Sequence, residues 1–443
     1  MNTIFMLTCM VLIFLFAYLI SDKSFVNPIV LFCLPLIVSV TYGLKYYSGW
    51  RFNVSSETMI LVISSFFVFC FAVFLVSAFI KNRSFKRNKT GHGRYGINTA
   101  LLLEDNIYVL LFVLQIFAAL ICFLQERKIV LANGYGGGLS EVIGNYNNLT
   151  KFGDDDVSLP GFASLAAGMQ QGMAYILGYL FSMDRIHGSR KTYKIVLFVL
   201  TVVLLTVSGS RTNSIGLLFG TLVMYLLLRC KAGKAITLRN IKAKYVLFIP
   251  IAVVMLLIVF FESLTLLGRN EESDFFYYIA IYLSAPMKNL DLAITRGIVH
   301  SDFWGQLSFK YLYPSLEKLN LVPAGSMYGT FRFLSFNGYF LGNVYTTFYA
   351  LLVDFGFAGC LLAVAIMAAM SQCAYSVALR SRNSYSVAVI LYAFISFQVF
   401  MSFFSSNFYQ NIFNTGFIKF IIPIVLFKCY VSIKSSRENE LLS

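Results

Sequence analysis

The residue best suited to charge chemistry in this 443-residue chain is Arg211, on the turn Ser208-Gly209-Ser210-Arg211-Thr212-Asn213-Ser214. The apolar run before it, Ile195 to Ser208, would be about 21 Å long as a helix. A hydrocarbon core is about 30 Å thick, so the turn is expected below the membrane surface, in a cavity. A charge at that depth is costly unless it is paired or hydrated. Thr212 to Ser214 are good N-cap residues, and they open the next apolar run with its first N–H groups unpaired. A guanidinium beside a helix N-terminus suits an anion, phosphate above all, with Ser210 on the same turn. The competing account is an arginine that snorkels to anchor a helix end.

A second candidate region is the segment 268–348, the longest that does not span. It is dense in aromatics: Phe275, Phe276, Tyr277, Tyr278, Tyr282, Trp304, Tyr311, Tyr313 and Tyr328. Ring faces interleaved with polar groups suit sugars, which stack their C–H faces and need partners for their hydroxyls. The run Phe275 to Ala285 is too short to span, and an interfacial helix accounts for it equally well. Arg269, Lys288, Arg296 and Arg332 are among the cations of the loop, as any surface loop carries; Arg296 and Arg332 are taken as candidate glycan contacts.

Chemistry is sparse elsewhere. Neither a Walker A motif nor GxGxxG occurs, and Tyr135-Gly136-Gly137-Gly138 reads as a flexible loop. His92, His187 and His300 are scattered without metal-ligand spacing, so neither metal nor cofactor is expected. Asp154-Asp155-Asp156 reads as a solvated loop before it reads as a cation site. Asn53-Val54-Ser55 and Asn148-Leu149-Thr150 are glycan acceptors only in a eukaryotic secretory setting.

The elements that must hold these residues follow from composition. The chain is 58% apolar and 12% charged, far less charged than a soluble domain. It reads as an all-α polytopic membrane protein, one membrane domain over 1–443. About eleven spans are expected, near 3–20, 25–42, 58–80, 106–124, 161–182, 195–209, 214–228, 245–267, 349–376, 385–405 and 412–431. The weakest is 161–182, with Gln170 and Gln171. The first lacks the basic n-region and cleavage site of a signal peptide. Short basic segments alternate with acidic or mixed ones. Twenty-one of the 35 Lys and Arg fall in the basic set, against six of the 20 acids. The positive-inside rule then places the N-terminus outside, and the C-terminus in the cytoplasm. It also turns the net charge of +15 into a topology signal and a contact with anionic lipid, so nucleic acid is not expected as a partner. Seven cysteines lie in spans and Cys230 at a cytoplasmic end, with no CxxC, so no disulfide framework is read. No repeat of fixed period and no swapped pair of broken helices stands out.

At these residues the sequence resembles the bacterial oligosaccharide repeat-unit polymerases, the O-antigen polymerases of Wzy type. The matching pieces are Ser208-Gly209-Ser210-Arg211, then Tyr282-Leu283-Ser284-Ala285-Pro286, then Gly342-Asn343-Val344-Tyr345-Thr346-Thr347-Phe348, closing with Asp354-Phe355-Gly356-Phe357-Ala358-Gly359. The family often has Gly where Ala285 stands. The motifs cover roughly 195–380. The resemblance implies a GT-C-like helical bundle with one long outer loop holding short helices, in the bacterial inner membrane. It implies a metal-independent, inverting glycosyltransferase that moves the growing glycan from undecaprenyl pyrophosphate to the next lipid-linked unit. A flippase and a chain-length regulator would be its partners. In that setting Arg211 would stabilise the leaving pyrophosphate. The acceptor hydroxyl needs a base, for which His300, Asp291, Asp302, Glu262 and Asp354 are the outer candidates; Asp354 could instead cap or orient its helix. Tyr282 would hold sugar, and Asn343 and Tyr345 would hold sugar hydroxyls or simply satisfy the entry from loop to helix. Two rivals stay open. An O-antigen ligase or another lipid-linked glycosyltransferase shares the pyrophosphate problem. A flippase or transporter would want charges deep in several spans.

Overall fold

The computed structural model describes residues 1–87, 105–152, 157–189, 191–207, 211–232, 275–327, 329–381 and 385–442. The expected span at 245–267, the turn residues 208–210, His92, Asp154 to Asp156, Glu262, Arg269 and Tyr328 lie outside them. The elements in chain order are α1 (Asn2–Ile20), α2 (Pro28–Gly43), α3 (Ser56–Arg87), α4 (Asn106–Ala132), α5 (Leu139–Phe152), α6 (Gly161–Ile186), α7 (Thr192–Val207) and α8 (Arg211–Lys231). Then come α9 (Phe275–Leu283), α10 (Ala285–Thr295), α11 (Tyr313–Lys318), β1 (Leu334–Phe336), β2 (Tyr339–Gly342), α12 (Thr347–Arg380), α13 (Val387–Phe400), α14 (Asn407–Ile412) and α15 (Thr415–Leu442).

This is a helical, multi-pass membrane protein. Among the described residues seven helices are long and apolar enough to cross a bilayer: α1 to α4, α8, α12 and α15. The outward faces agree, since α1 exposes Phe5, Leu12 and Phe16, and α4 exposes Leu110, Phe117 and Leu120. Water would not tolerate contiguous apolar faces of this kind, and lipid does. α7 and α13 are apolar but shorter. α6 runs 26 residues, about 39 Å, and buries Gln170 and Ser182 along with Met173 to Leu177.

The chain divides into two compact units. The first draws on Met1–Gly93, Ser273–Leu379 and Ile395–Thr415. Its two ends are readable from hydrogen bonds. At one end the N-terminal amine donates to Asn53 Oδ1 at 2.9 Å, and Thr3 Oγ1 donates to Phe52 O at 2.9 Å. At the other, the Tyr375 hydroxyl donates to Asp22, and Gln372 Nε2 donates to Ser77 Oγ at 2.8 Å. Asn27 caps α2 by accepting from Ile29 N at 2.9 Å, with Pro28 in the first turn. Phe32 of α2 stacks on Phe69 of α3 at 4.0 Å, and the edge of Phe348 from α12 meets it at 6.3 Å. In lipid such close packing, rather than escape from water, holds helices together.

The second unit draws on Arg94–Glu272, Arg380–Phe394 and Gly416–Ser443. Its helices pack closely on the glycines of α6. A Cβ at Gly172 would stand 2.3 Å from Phe420 O, and one at Gly168 2.4 Å from Lys419 Cβ, so α15 approaches α6 backbone to backbone. Lys419 donates to Ser164 Oγ at 2.6 Å. At one end of the unit Lys191 pairs with Asp105, and Lys194 joins Asp184 at 2.8 Å and Asp105 at 3.2 Å. The Lys191 ammonium holds the Asp105 carboxyl well below its usual range, helped by hydrogen bonds from Tyr193 and Lys194.

Three features differ from the expectations. The loop holds short helices as expected, but also an antiparallel hairpin, β1 on β2, turned by Asn337 and Gly338 at positive φ. α5 is an additional helix inside the segment read as an outer loop, and α4 runs on to Ala132, two turns past the expected span. That extension puts Glu126 at 1% exposure, with Oε2 unpartnered among the described residues. Third, α12 is broken: Gly356 sits at φ 66 and ψ −173, in a region essentially reserved for glycine.

Candidate functional site

The site is built on α10 in the first unit. Tyr282-Leu283-Ser284-Ala285-Pro286 is the joint between α9 and α10. Ser284 is buried there and donates to Ser39 O at 2.6 Å, and Pro286 takes a first-turn position where its missing N–H costs nothing. Tyr282 accepts from Tyr278 at 3.1 Å and stacks on Phe404 at 5.8 Å.

α10 is buried along most of its length, including Lys288, Asn289 and Asp291. Such groups tolerate burial only when paired and hydrogen-bonded. Lys288 Nζ lies 3.2 Å from Asp291 Oδ2, donates to Arg51 O at 3.1 Å and stands 4.9 Å over the Phe336 ring. Asp291 Oδ1 accepts from Ser55 N at 2.7 Å and Thr58 Oγ1 at 3.0 Å, fastening the start of α3. Asn289 Nδ2 donates to Leu341 O at 3.1 Å and to Val344 O at 2.9 Å, holding the chain on either side of Asn343. Asp291 is therefore a structural clamp, and no longer a candidate base.

The break in α12 organises the rest. With the helix interrupted at Gly356, the Val353 carbonyl accepts from outside the helix: His300 Nδ1 lies 2.9 Å away and Ser301 N 3.4 Å. Because a carbonyl only accepts, Nδ1 carries the proton of the neutral ring and leaves Nε2 as the acceptor. Asp354 turns the other way and accepts from Leu307 N at 3.2 Å and Ser308 N at 2.7 Å. Both oxygens face backbone amides of the loop at 307–308 and not of its own helix. Around this joint stand Trp304, Phe309 and Phe355, with Trp304 to Phe355 at 5.0 Å, and the indole remains 75% exposed. Burial, then the Asp354 charge, raises the Tyr313 phenol, and burial lowers the Lys310 ammonium, which donates to Gly329 O at 2.7 Å.

Between the start of α3, the end of α10 and the break in α12 lies a cleft of about 840 Å³. Its polar lining residues are Ser55, Ser56, Glu57 and Thr295, and its apolar ones Leu61, Ile294, Ile298, Leu352 and Phe357. Arg296 is exposed between two lining residues, Thr295 and Gly297. Glu57 did not stand out in the sequence, although an acid in the first turn after Ser55 and Ser56 is a usual helix-start signal.

The remaining candidates scatter. Tyr345 is buried, stacked on Tyr349 at 4.4 Å, with its hydroxyl donating to Arg332 O at 3.0 Å, so it packs the loop and does not face the cleft. Arg332 is exposed and Asn343 half-buried. Arg211 belongs to the second unit, where it is the first residue of α8, one residue before the expected start. The start of α8 is held there by Asn213 Oδ1, which accepts from Gln171 Nε2 at 3.3 Å, and by Ser214 Oγ, which donates to Val202 O at 2.9 Å.

No family model, no curated protein and no solved structure matches this chain.

Proposed function

We propose that this protein is a glycosyltransferase that polymerises oligosaccharide repeat units carried on undecaprenyl pyrophosphate, at the outer face of a bacterial cytoplasmic membrane. The observation that carries the reading is the convergence of the block at 282–286 with the two neighbouring blocks at 342–348 and 354–359, more than fifty residues downstream. α10 grows out of the block at 282–286, hydrogen-bonds the block at 342–348 through Asn289, and shares a cleft with the block at 354–359. The cleft is lined by both polar and apolar groups, as a sugar ring requires.

The chemistry needs little else. The lipid-linked glycan is already activated, so a nucleotide site is unnecessary. The acceptor oxygen attacks the anomeric carbon, the bond from that carbon to the pyrophosphate breaks, and the lipid pyrophosphate departs with the electron pair. The part we assign to Arg211, the first residue of α8, is positive charge for the departing group.

The test is a ladder assay of surface polysaccharide in cells whose own gene is deleted. Deletion should leave single repeat units on the lipid core; no repeat unit at all would point to a ligase. Arg211→Ala at normal expression should give no ladder, because losing one preorganised donor costs on the order of 10²–10³ in rate. Arg211→Lys should be impaired, as it keeps charge but loses the planar fork. A snorkelling anchor would accept Lys without loss, so a full ladder from the Lys variant refutes the pyrophosphate role.

A further inference from the structure

Glu57 is the ionisable side chain in the lining of the cleft. Its neighbours are engaged: Ser55 Oγ with Thr58 Oγ1 at 2.9 Å, Ser55 N with Asp291, and Thr295 Oγ1 with Asp291 O at 2.9 Å. The Glu57 carboxylate is exposed and makes no hydrogen bond or ion pair with any described residue. The clamp at Asp291 thus fixes the first turn of α3, and that turn presents an uncommitted carboxylate to a cavity. A volume of about 840 Å³ falls among ordinary small-molecule sites, roughly 300–1,000 Å³. Leu352 and Phe357 in the same lining offer a surface for C–H groups. Neither His300 nor Asp302 lines the cavity, and Asp354 is turned to the amides of Leu307 and Ser308.

We propose that this cleft receives the acceptor end of the lipid-linked glycan, and that Glu57 takes the proton of the attacking hydroxyl. The inference rests on the polymerase reading above and adds the acceptor site and the base. As the acceptor oxygen bonds to the anomeric carbon of the donor, its proton passes to a Glu57 oxygen, and the bond to pyrophosphate breaks with its electrons on the leaving group. The proton then returns to water, and the carboxylate is restored for the next unit.

The experiment uses the purified full-length protein in liposomes, with a synthetic polyprenyl-pyrophosphate-linked repeat unit as the probe, and follows chain growth. Wild-type chain growth establishes the polymerase reading; a wild-type protein with none removes that reading and the inference with it. Given wild-type growth, Glu57→Gln should slow it on the order of 10²-fold or more, the usual worth of a general base. Formate should restore part of the rate to Glu57→Ala, because a small carboxylate can enter the vacated space, and Glu57→Asp should keep part of it unaided. Thermal unfolding of each variant separates a folded, inactive protein from a misfolded one. A Glu57→Gln protein within a few-fold of wild type overturns the proposal. So does a destabilised Glu57→Gln accompanied by a Glu57→Ala that formate leaves inactive.

Discussion

Removing the Asp291 side chain should be among the most damaging single changes in the first unit. Asp291 is 3% exposed and faces three donors: Ser55 N, Thr58 Oγ1 and the Lys288 ammonium. Asp291→Ala leaves Lys288 buried with only the Arg51 carbonyl and the face of Phe336. Breaking a buried pair by deleting one partner costs about 3–5 kcal/mol. The orphaned Ser55 amide belongs to the same loss and is not added to it, since contacts in one network are not independent. At about 2–4 °C per kcal/mol for a unit of this size, the melting temperature should fall by on the order of 10 °C. Lys288→Met should be milder, because Asp291 keeps its two other donors. Lys288→Met with Asp291→Leu should be less damaging than Asp291→Ala alone, since no charge is then left unpaired. The assay is thermal unfolding of the detergent-solubilised protein, read by size exclusion. An Asp291→Ala protein that melts with wild type, or a double variant no more stable than Asp291→Ala, refutes the clamp.

Two further outcomes follow from single positions. Gly356→Ala should destabilise by about 1–3 kcal/mol, because the strain lies in its φ and ψ; the nearest atom a Cβ would meet is His300 Cε1, at 4.0 Å. Gly161→Ala, where a Cβ meets nothing within 4 Å, should melt within error of wild type, and equal melting of both variants would refute the strain at Gly356. Acid sensitivity should trace partly to Asp105. Lys191 lowers its folded pKa from the usual 3.8, so its contribution is complete above that value and fades as pH falls toward the lowered one. Asp105→Asn should flatten this acid limb slightly, since both partners are largely exposed, and an unchanged melting profile below pH ~4 would refute the contribution.

What the sequence made legible was what repeats along it. Apolar runs of spanning length marked α1 to α4, α8, α12 and α15, because lipid demands continuous apolar faces over roughly twenty residues. Gln170 and Gln171 marked 161–182 as the weak span, and the structure shows why it departs from the pattern: α6 buries Gln170 and offers Gly168 and Gly172 to α15. The candidate site was harder to see, for a physical reason. A clamp such as Lys288-Asp291 looks like ordinary loop charge until α10 is known to be buried, and burial depends on Ser39, Ser55 and Leu341, which are distant in sequence. Asp354 and Tyr345 stood out for their motif, and their polar atoms turned out to hold backbone. Glu57 stood out for nothing, because a first-turn acid is commonplace. Motif residues that fasten backbone fix where the walls stand, whereas a group that must meet a substrate has to remain unfastened. In this unit Asp291, Asp354, Asn289 and Tyr345 are fastened, and Glu57 is the unfastened carboxylate that lines the cleft. Substitutions in the first set should therefore register first in melting temperature, and substitutions at Glu57 in rate.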